Sequence, residues 1–309
     1  GGNLYYQNLG VNGGSVTFKV TLKMYRYCAP GSSPLPQDMN LGVYKQDQNN
    51  PNANKILFLS TTLQLVNQQF ITPPNANDTC SFTPNECVEE GIYEETIIVD
   101  TTGGGYQLIV ERCCRNGNIV NVFNALDVGL AYYAFTPPTN IINSSPTFAV
   151  APVPYICALD TVSILNSAVD PDGDLLIYNF VWPYAGISTG GNSNPNPSPV
   201  YNWPINEITY EPGYSVAQPF GVGGYTAIDT LTGLTSYLSP LPGFYVVAVE
   251  IKEYRNGVLI GISRRDLQLI FITCPVNPAP ILSNTTPQTT YTVQAGQQLC
   301  FNITSTDAN

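Results

Sequence analysis

Turn-forming residues interrupt this chain too often for long helices. Glycine and proline each occur 26 times in 309 residues, about one position in six together. Proline removes a helix hydrogen bond, and glycine loses the most conformational entropy on ordering. The segments between them favour strands, with Thr, Val and Ile abundant and 20 tyrosines. Ser15 to Tyr27 shows this most cleanly. Val16, Phe18, Val20, Leu22 and Met24 alternate with Thr17, Lys19, Thr21 and Lys23, the period of a half-buried strand. Similar runs predict strands over 41–45, 55–66, 92–99, 106–114, 128–135, 155–165, 175–182, 243–255 and 258–271. Asn116-Gly117 and Asn256-Gly257 each predict a type I′ hairpin, because both central positions of that turn need positive φ.

The expected fold class is therefore all-β: tandem β-sandwich modules, Ig-like or jelly-roll-like, stabilised by disulfides. A hydrophobic fraction of 43% supplies a core. Residues 137–154 are rich in Pro, Asn and Ser, and Cys274-Pro275 is followed by Pro278 and Pro280. These stretches read as linkers. They divide the chain into an N-terminal β-sandwich (1–143), a second sandwich carrying an Asp-rich turn (144–275) and the start of a further, truncated module (276–309).

Charge and histidine content exclude several functions. Charged residues make up 11% of the chain, against about 25% in an ordinary soluble domain. Histidine is absent, so Ser-His-Asp and Cys-His nucleophile systems and His-ligated metals are excluded. The net charge is −11 and the pI about 4.2. Such a chain lacks the basic footprint of a nucleic-acid binder. No apolar run reaches the length of a membrane-spanning helix, so no membrane insertion of this segment is expected. Glu89-Glu90, Glu94-Glu95, Glu207, Glu211 and Asp229 read as ordinary solvated carboxylates rather than a glycosidase pair. Trp182, Tyr184, Tyr201 and Trp203 could stack on sugars, but packing is the simpler use. The expectation is a protein that is not an enzyme.

Eight cysteines stand at 28, 80, 87, 113, 114, 157, 274 and 300, with no Cys-x-x-Cys pair. Without histidine they read as a disulfide framework formed in an oxidising compartment. Cys80 and Cys87 can close the loop 73–90. Cys28 can pair with Cys113 or Cys114. Those adjacent cysteines point to opposite faces of a strand and are not expected to bond to each other.

Asp170-Pro171-Asp172-Gly173-Asp174 places three carboxylates at alternating positions of a tight glycine turn. Oxygen ligands so arranged suit a hard cation, and calcium is the expected cofactor, held by Asp170, Asp172 and Asp174. With few cations in the chain, a metal is the simplest neutraliser. The competing reading is a plain acidic turn. The loop resembles those that join strands in cadherin-like modules. Cys157 precedes this turn much as Cys300 precedes Asp307-Ala308-Asn309, a weak internal repeat. By analogy Cys157 would pair with Cys274, tying the first and last strands of the middle module.

Several stretches, taken in order, resemble the large cell-surface proteins of Bacteroidota, the gliding-motility-associated and PKD/Ig-like adhesins exported by type IX secretion. They are the opening Gly1-Gly2-Asn3-Leu4-Tyr5-Tyr6, Leu22 to Cys28, Glu111 to Gly117, Asn143 to Phe148, Pro152 to Cys157, Val169 to Tyr178 and Glu250 to Leu269. The match is good over 1–275 and loose over 276–309. The resemblance implies the N-terminal part of a long extracellular chain of β modules on the bacterial cell surface, after signal-peptide removal. Its partners would be other surface or secretion-system proteins and surface polysaccharide. Asp-Thr-apolar patterns at Thr101, Thr161 and Thr230 would then be O-glycosylation sites, and Asn143 matches an N-glycan sequon. The function expected is structural and adhesive. The alternatives are a carbohydrate-binding module, or a filament subunit that exchanges strands through residues 276–309.

Overall fold

Alternating apolar side chains in the N-terminal half curl one sheet until it meets itself. The computed structural model describes residues 1–28, 31–71, 87–152, 155–187 and 192–274, with short pieces at 281–282, 292–294, 296–298 and 305–306. The first strands are β1 (Gly2–Asn12), β2 (Ser15–Tyr27), β3 (Asp38–Lys45), β4 (Lys55–Phe70), β5 (Val88–Asp100), β6 (Tyr106–Arg112) and β7 (Leu130–Thr136). Shorter strands follow: β8 (Thr147–Phe148), β9 (Tyr155–Cys157), β10 (Val162–Leu165), β11 (Ala168–Val169), β12 (Leu175–Val181), β13 (Val200–Tyr201), β14 (Tyr225–Ile228) and β15 (Leu234–Leu238). The long hairpin of β16 (Gly243–Arg255) and β17 (Val258–Ile272) comes last in this unit. Its turn residues Asn256 and Gly257 have φ of 53° and 78°, as the type I′ expectation requires. Among the described residues the only helix is one 3-10 turn, Ala125–Asp127, and the fold is all-β.

Hydrogen bonding runs β1–β2–β5–β4–β3–β6–β7–β17–β16–β12, and β17 pairs back onto β1. The ring from β1 to β17 encloses a core of Leu4, Val20, Leu22, Leu41, Tyr93 and Leu108, each fully buried. The inward set of β2 behaves as its alternation predicts, since Val16, Phe18, Val20, Leu22 and Met24 are at most 3% exposed. A second cluster packs against the other part of the hairpin. It includes Tyr245 and Val247 from β16, Leu267, Leu269 and Phe271 from β17, and Tyr237 from the small sheet β10–β15–β14.

The expected boundary near Asn143 does not interrupt the fold. Gly1–Pro74 and Pro84–Thr273 form one compact unit. Strand β17 is the reason: it pairs with β7 at Ile262↔Phe135 and with β1 at Gly2↔Asp266. The polar segment that reads as a linker satisfies strand β1 instead. Ser145 exchanges hydrogen bonds with the Tyr6 backbone, and buried Asn143 donates to the Tyr6 hydroxyl at 3.0 Å. A buried Asn143 is no glycan acceptor. A second unit comprises Asn75–Thr83 and Cys274–Asn309, with β18 (Ile281–Leu282) antiparallel to β19 (Ser305–Thr306).

Three cysteine expectations are corrected, including the pairing of Cys28 with Cys113 or Cys114. Cys87 bonds to Cys28, not to Cys80, with Cα atoms 5.0 Å apart. The register of β2 on β5 sets Tyr27 opposite Val88 and so brings the two cysteines together. Cys113 and Cys114 are bonded to each other across a cis peptide. The opposite-face argument fails because β6 ends at Arg112, so neither cysteine is in a strand. Nor does Asn116-Gly117 form a hairpin. The Asn116 side chain accepts from Asn118 N at 3.0 Å, an Asx turn, and Ile119 makes only an isolated bridge to Phe244. Cys157 lies opposite Ile272 in the parallel pairing of β9 with β17, and Cys157 and Cys274 are each disulfide-bonded. Cys80 and Cys300 lie outside the described residues, as do Asp307 and its neighbours.

Candidate functional site

The Asp-rich turn joins β11 to β12. Gly173 has φ of 79°, a left-handed conformation that a side chain would strain. The Asp170 carboxylate folds the turn by accepting from Asp172 N at 2.9 Å and Asp174 N at 3.1 Å. Asp172 accepts from Ser144 N at 2.7 Å. One carboxylate oxygen from each of Asp170, Asp172 and Asp174 lies within 4.8 Å of the others, so the structure brings the three predicted residues together.

Two charged residues that the sequence signals left out lie beside this cluster. Both stand at the end of β16, which pairs with β12 at Leu175↔Tyr254 and Leu176↔Glu253. Arg255 grips Asp174 in a bidentate pair of 2.7 and 2.5 Å and approaches Asp172 at 3.9 Å. It also donates to Ile142 O and to Asn143 Oδ1. Although the chain has few basic residues, one of them therefore neutralises part of the turn. The second residue is Glu253. It is 0% exposed, and neither of its carboxylate oxygens has a hydrogen-bond partner. Asp170 Oδ2 is likewise buried without one. Gly261 faces Glu253 across the hairpin, and a Cβ there would collide with the glutamate carboxylate. The sequence signal was the spacing Glu253-x-Arg255, which puts both side chains on one face of a strand.

Four acids and one base leave the cluster with excess negative charge. Hydrogen bonding from Arg255 holds Asp174 below the ordinary aspartate range, while burial pushes Asp170 up. Burial, reinforced by Asp170 and Asp174, pushes Glu253 up to about 8. The donors fit a hard cation: all are carboxylate oxygens, and several are buried with free lone pairs. Asp170, Asp172 and Asp174 could hold it, with Arg255 competing for Asp174.

The remaining candidates disperse. Glu89 and Glu90 are not solvated; they are 3% and 4% exposed, with Glu89 paired to Arg26 and Glu90 accepting from Gln69. Register explains this, since Arg26 lies opposite Glu89 in the β2–β5 pairing. Tyr201 is buried, Trp203 packs on Tyr133 beneath Lys55, and Arg264 covers Tyr184 at 3.6 Å. Only Trp182 of these four aromatics is exposed, at 40%, and it leans on Tyr210. Thr161 and Thr230 are exposed, whereas the Thr101 hydroxyl donates to Gly14 O at 3.0 Å.

A cleft of about 730 Å³ opens beside the Cys113–Cys114 pair, lined in part by Arg26, Tyr27, Arg112, Arg115 and Asn118. No local sequence signal marks it, because its walls come from segments far apart in the chain, chiefly β2, the loop after it and the loop after β6.

No protein-family model matches this chain, and comparison with curated proteins gives no match. The geometry is therefore the ground for a functional reading.

Proposed function

We infer that the chain is a non-enzymatic extracellular module, structural and adhesive in role, and that it belongs to a large bacterial cell-surface protein of the gliding-adhesin kind. One observation carries this reading. Every described cysteine, at 28, 87, 113, 114, 157 and 274, is disulfide-bonded, the state favoured outside the cytosol. Calcium on Asp170, Asp172 and Asp174 would stiffen the Asp-rich turn beside the end of the β16–β17 hairpin. A Cys157–Cys274 bridge, glycans on Thr161 and Thr230, and binding to surface proteins or polysaccharide belong to the same proposal. The aromatic platform of the rival carbohydrate-binding reading has less support, because Tyr184, Tyr201 and Trp203 are occupied in packing.

The test is surface labelling of intact source cells with an antibody to this chain, combined with non-reducing peptide mapping of the recovered protein. Labelled cells and oxidised cysteines are expected, and beads coated with the chain should adhere where bare beads do not. Recovery from the cytosol with free thiols would overturn the reading.

A further inference from the structure

The cleft beside the Cys113–Cys114 pair contributes nothing to the calcium site, and its charge runs against that of the whole molecule. The chain carries 22 Asp and Glu against 11 Lys and Arg. Yet the described lining of the cleft includes three of the six arginines and no acidic residue. Two of the three are committed: Arg26 pairs with Glu89, and Arg115 holds both oxygens of Asp266 at 3.1 and 2.7 Å.

Arg112 differs. It stands half-buried at the end of β6 with no ion pair among the described residues, and its Nη1 faces the Met39 sulfur at 4.0 Å. A thioether is a weak acceptor. A partly desolvated guanidinium without an anion retains much of its desolvation cost, and its planar fork matches a carboxylate in bidentate fashion. The volume, about 730 Å³, lies in the range of small-ligand sites. The same lining offers uncharged polar side chains in Ser33, Asn116 and Asn118 beside apolar Met24, Ile119 and Leu130, and Tyr27 adds a partly exposed ring. Amides, hydroxyls and an aromatic ring around one cation suit a ligand with many hydroxyls and one carboxylate.

We propose that this cleft binds a carboxylate-bearing sugar of the uronate class, with Arg112 on the carboxylate and Ser33, Asn116 and Asn118 on ring hydroxyls. The site depends neither on calcium nor on the adhesive role. The experiment titrates the 309-residue chain with digalacturonate, neutral galactobiose and tetraglutamate, followed by calorimetry. Digalacturonate should bind, and the other two should bind at least about tenfold more weakly, the scale of one charge-assisted hydrogen bond. Arg112→Gln should lower digalacturonate affinity by a similar factor, with Arg112→Lys retaining part of it. Asn118 is exposed at the rim, so Asn118→Asp should weaken binding without moving the melting temperature, and it decides the matter if Arg112→Gln does not fold. Equal binding of galactobiose, tighter binding of tetraglutamate, or full affinity in folded Arg112→Gln and Asn118→Asp would each overturn the proposal.

Discussion

Glu253 shows how one buried acid can make stability depend on pH. Burial and two neighbouring aspartates raise it from 4.5 to about 8. Below pH 4.5 the carboxyl is protonated in both folded and unfolded chains. Between 4.5 and 8 the folded chain keeps a proton that the unfolded chain has released, so stability falls as pH rises through that window. At about 1.4 kcal/mol per pH unit, the loss across that window is on the order of a few kcal/mol. Glu253→Gln supplies a neutral side chain of the same shape. In chelator, the variant should match the parent near pH 5 and be more stable by a few kcal/mol at pH 8. Urea denaturation at the two pH values measures this, and an equal difference at both would contradict it. The sequence placed Glu253 on a strand but not in the cluster. Its depth depends on Gly261 across the hairpin and on β12 alongside, and neither pairing can be read from the glutamate's own surroundings.

At the scale of elements, local patterns were legible and partnerships were not. Alternation located β2 and β5, and Asn256-Gly257 located the long hairpin, because each signal is complete within a few residues. Asn116-Gly117 carries the same dipeptide, but the Cys113–Cys114 bond ends β6 just before it. The Asp-rich turn was legible as a turn of three converging carboxylates, whereas its counter-charge came from a hairpin some eighty residues away. That counter-charge separates an acidic turn from a calcium loop experimentally. Arg255 neutralises Asp174 when no ion is bound, so Arg255→Met should cost about 1–3 kcal/mol in chelator. Calcium would replace the lost charge, and the loss should shrink in millimolar calcium. The parent chain should itself melt higher in calcium than in chelator, and Asp172→Ala should remove that rise. Melting curves of the three proteins in both buffers test the element as a whole. Identical curves with and without calcium would leave the turn held by Arg255 alone.

At the scale of the whole molecule, composition led to the right class and placed one boundary, near residue 143, where the compact unit continues. Prolines, asparagines and serines at 137–154 read as a linker because such residues favour turns and interrupt regular elements. In the fold, Asn143 and Ser145 supply hydrogen bonds to Tyr6. The decisive contacts are those of β17 with β1 and β7, and their separation of more than one hundred residues leaves no local trace. The consequence is cooperative. Both tryptophans lie after residue 144, but Trp203 touches Tyr133 and Lys55 of the first part, whereas Trp182 leans on Tyr210, so Trp182 fluorescence, read in a Trp203→Phe background, reports on the second part. Leu22 is fully buried in the core of the closed ring, and Leu22→Ala should cost about 2–5 kcal/mol. If 1–143 and 144–275 were separate domains, the variant would leave the tryptophan transition unmoved. With β17 hydrogen-bonded to β1 and β7 and packed into the second core, the urea midpoint read by fluorescence should fall as far as the midpoint read by circular dichroism. A fluorescence midpoint that stays in place while the dichroism midpoint falls would show that the strand pairings through β17 do not couple the two cores.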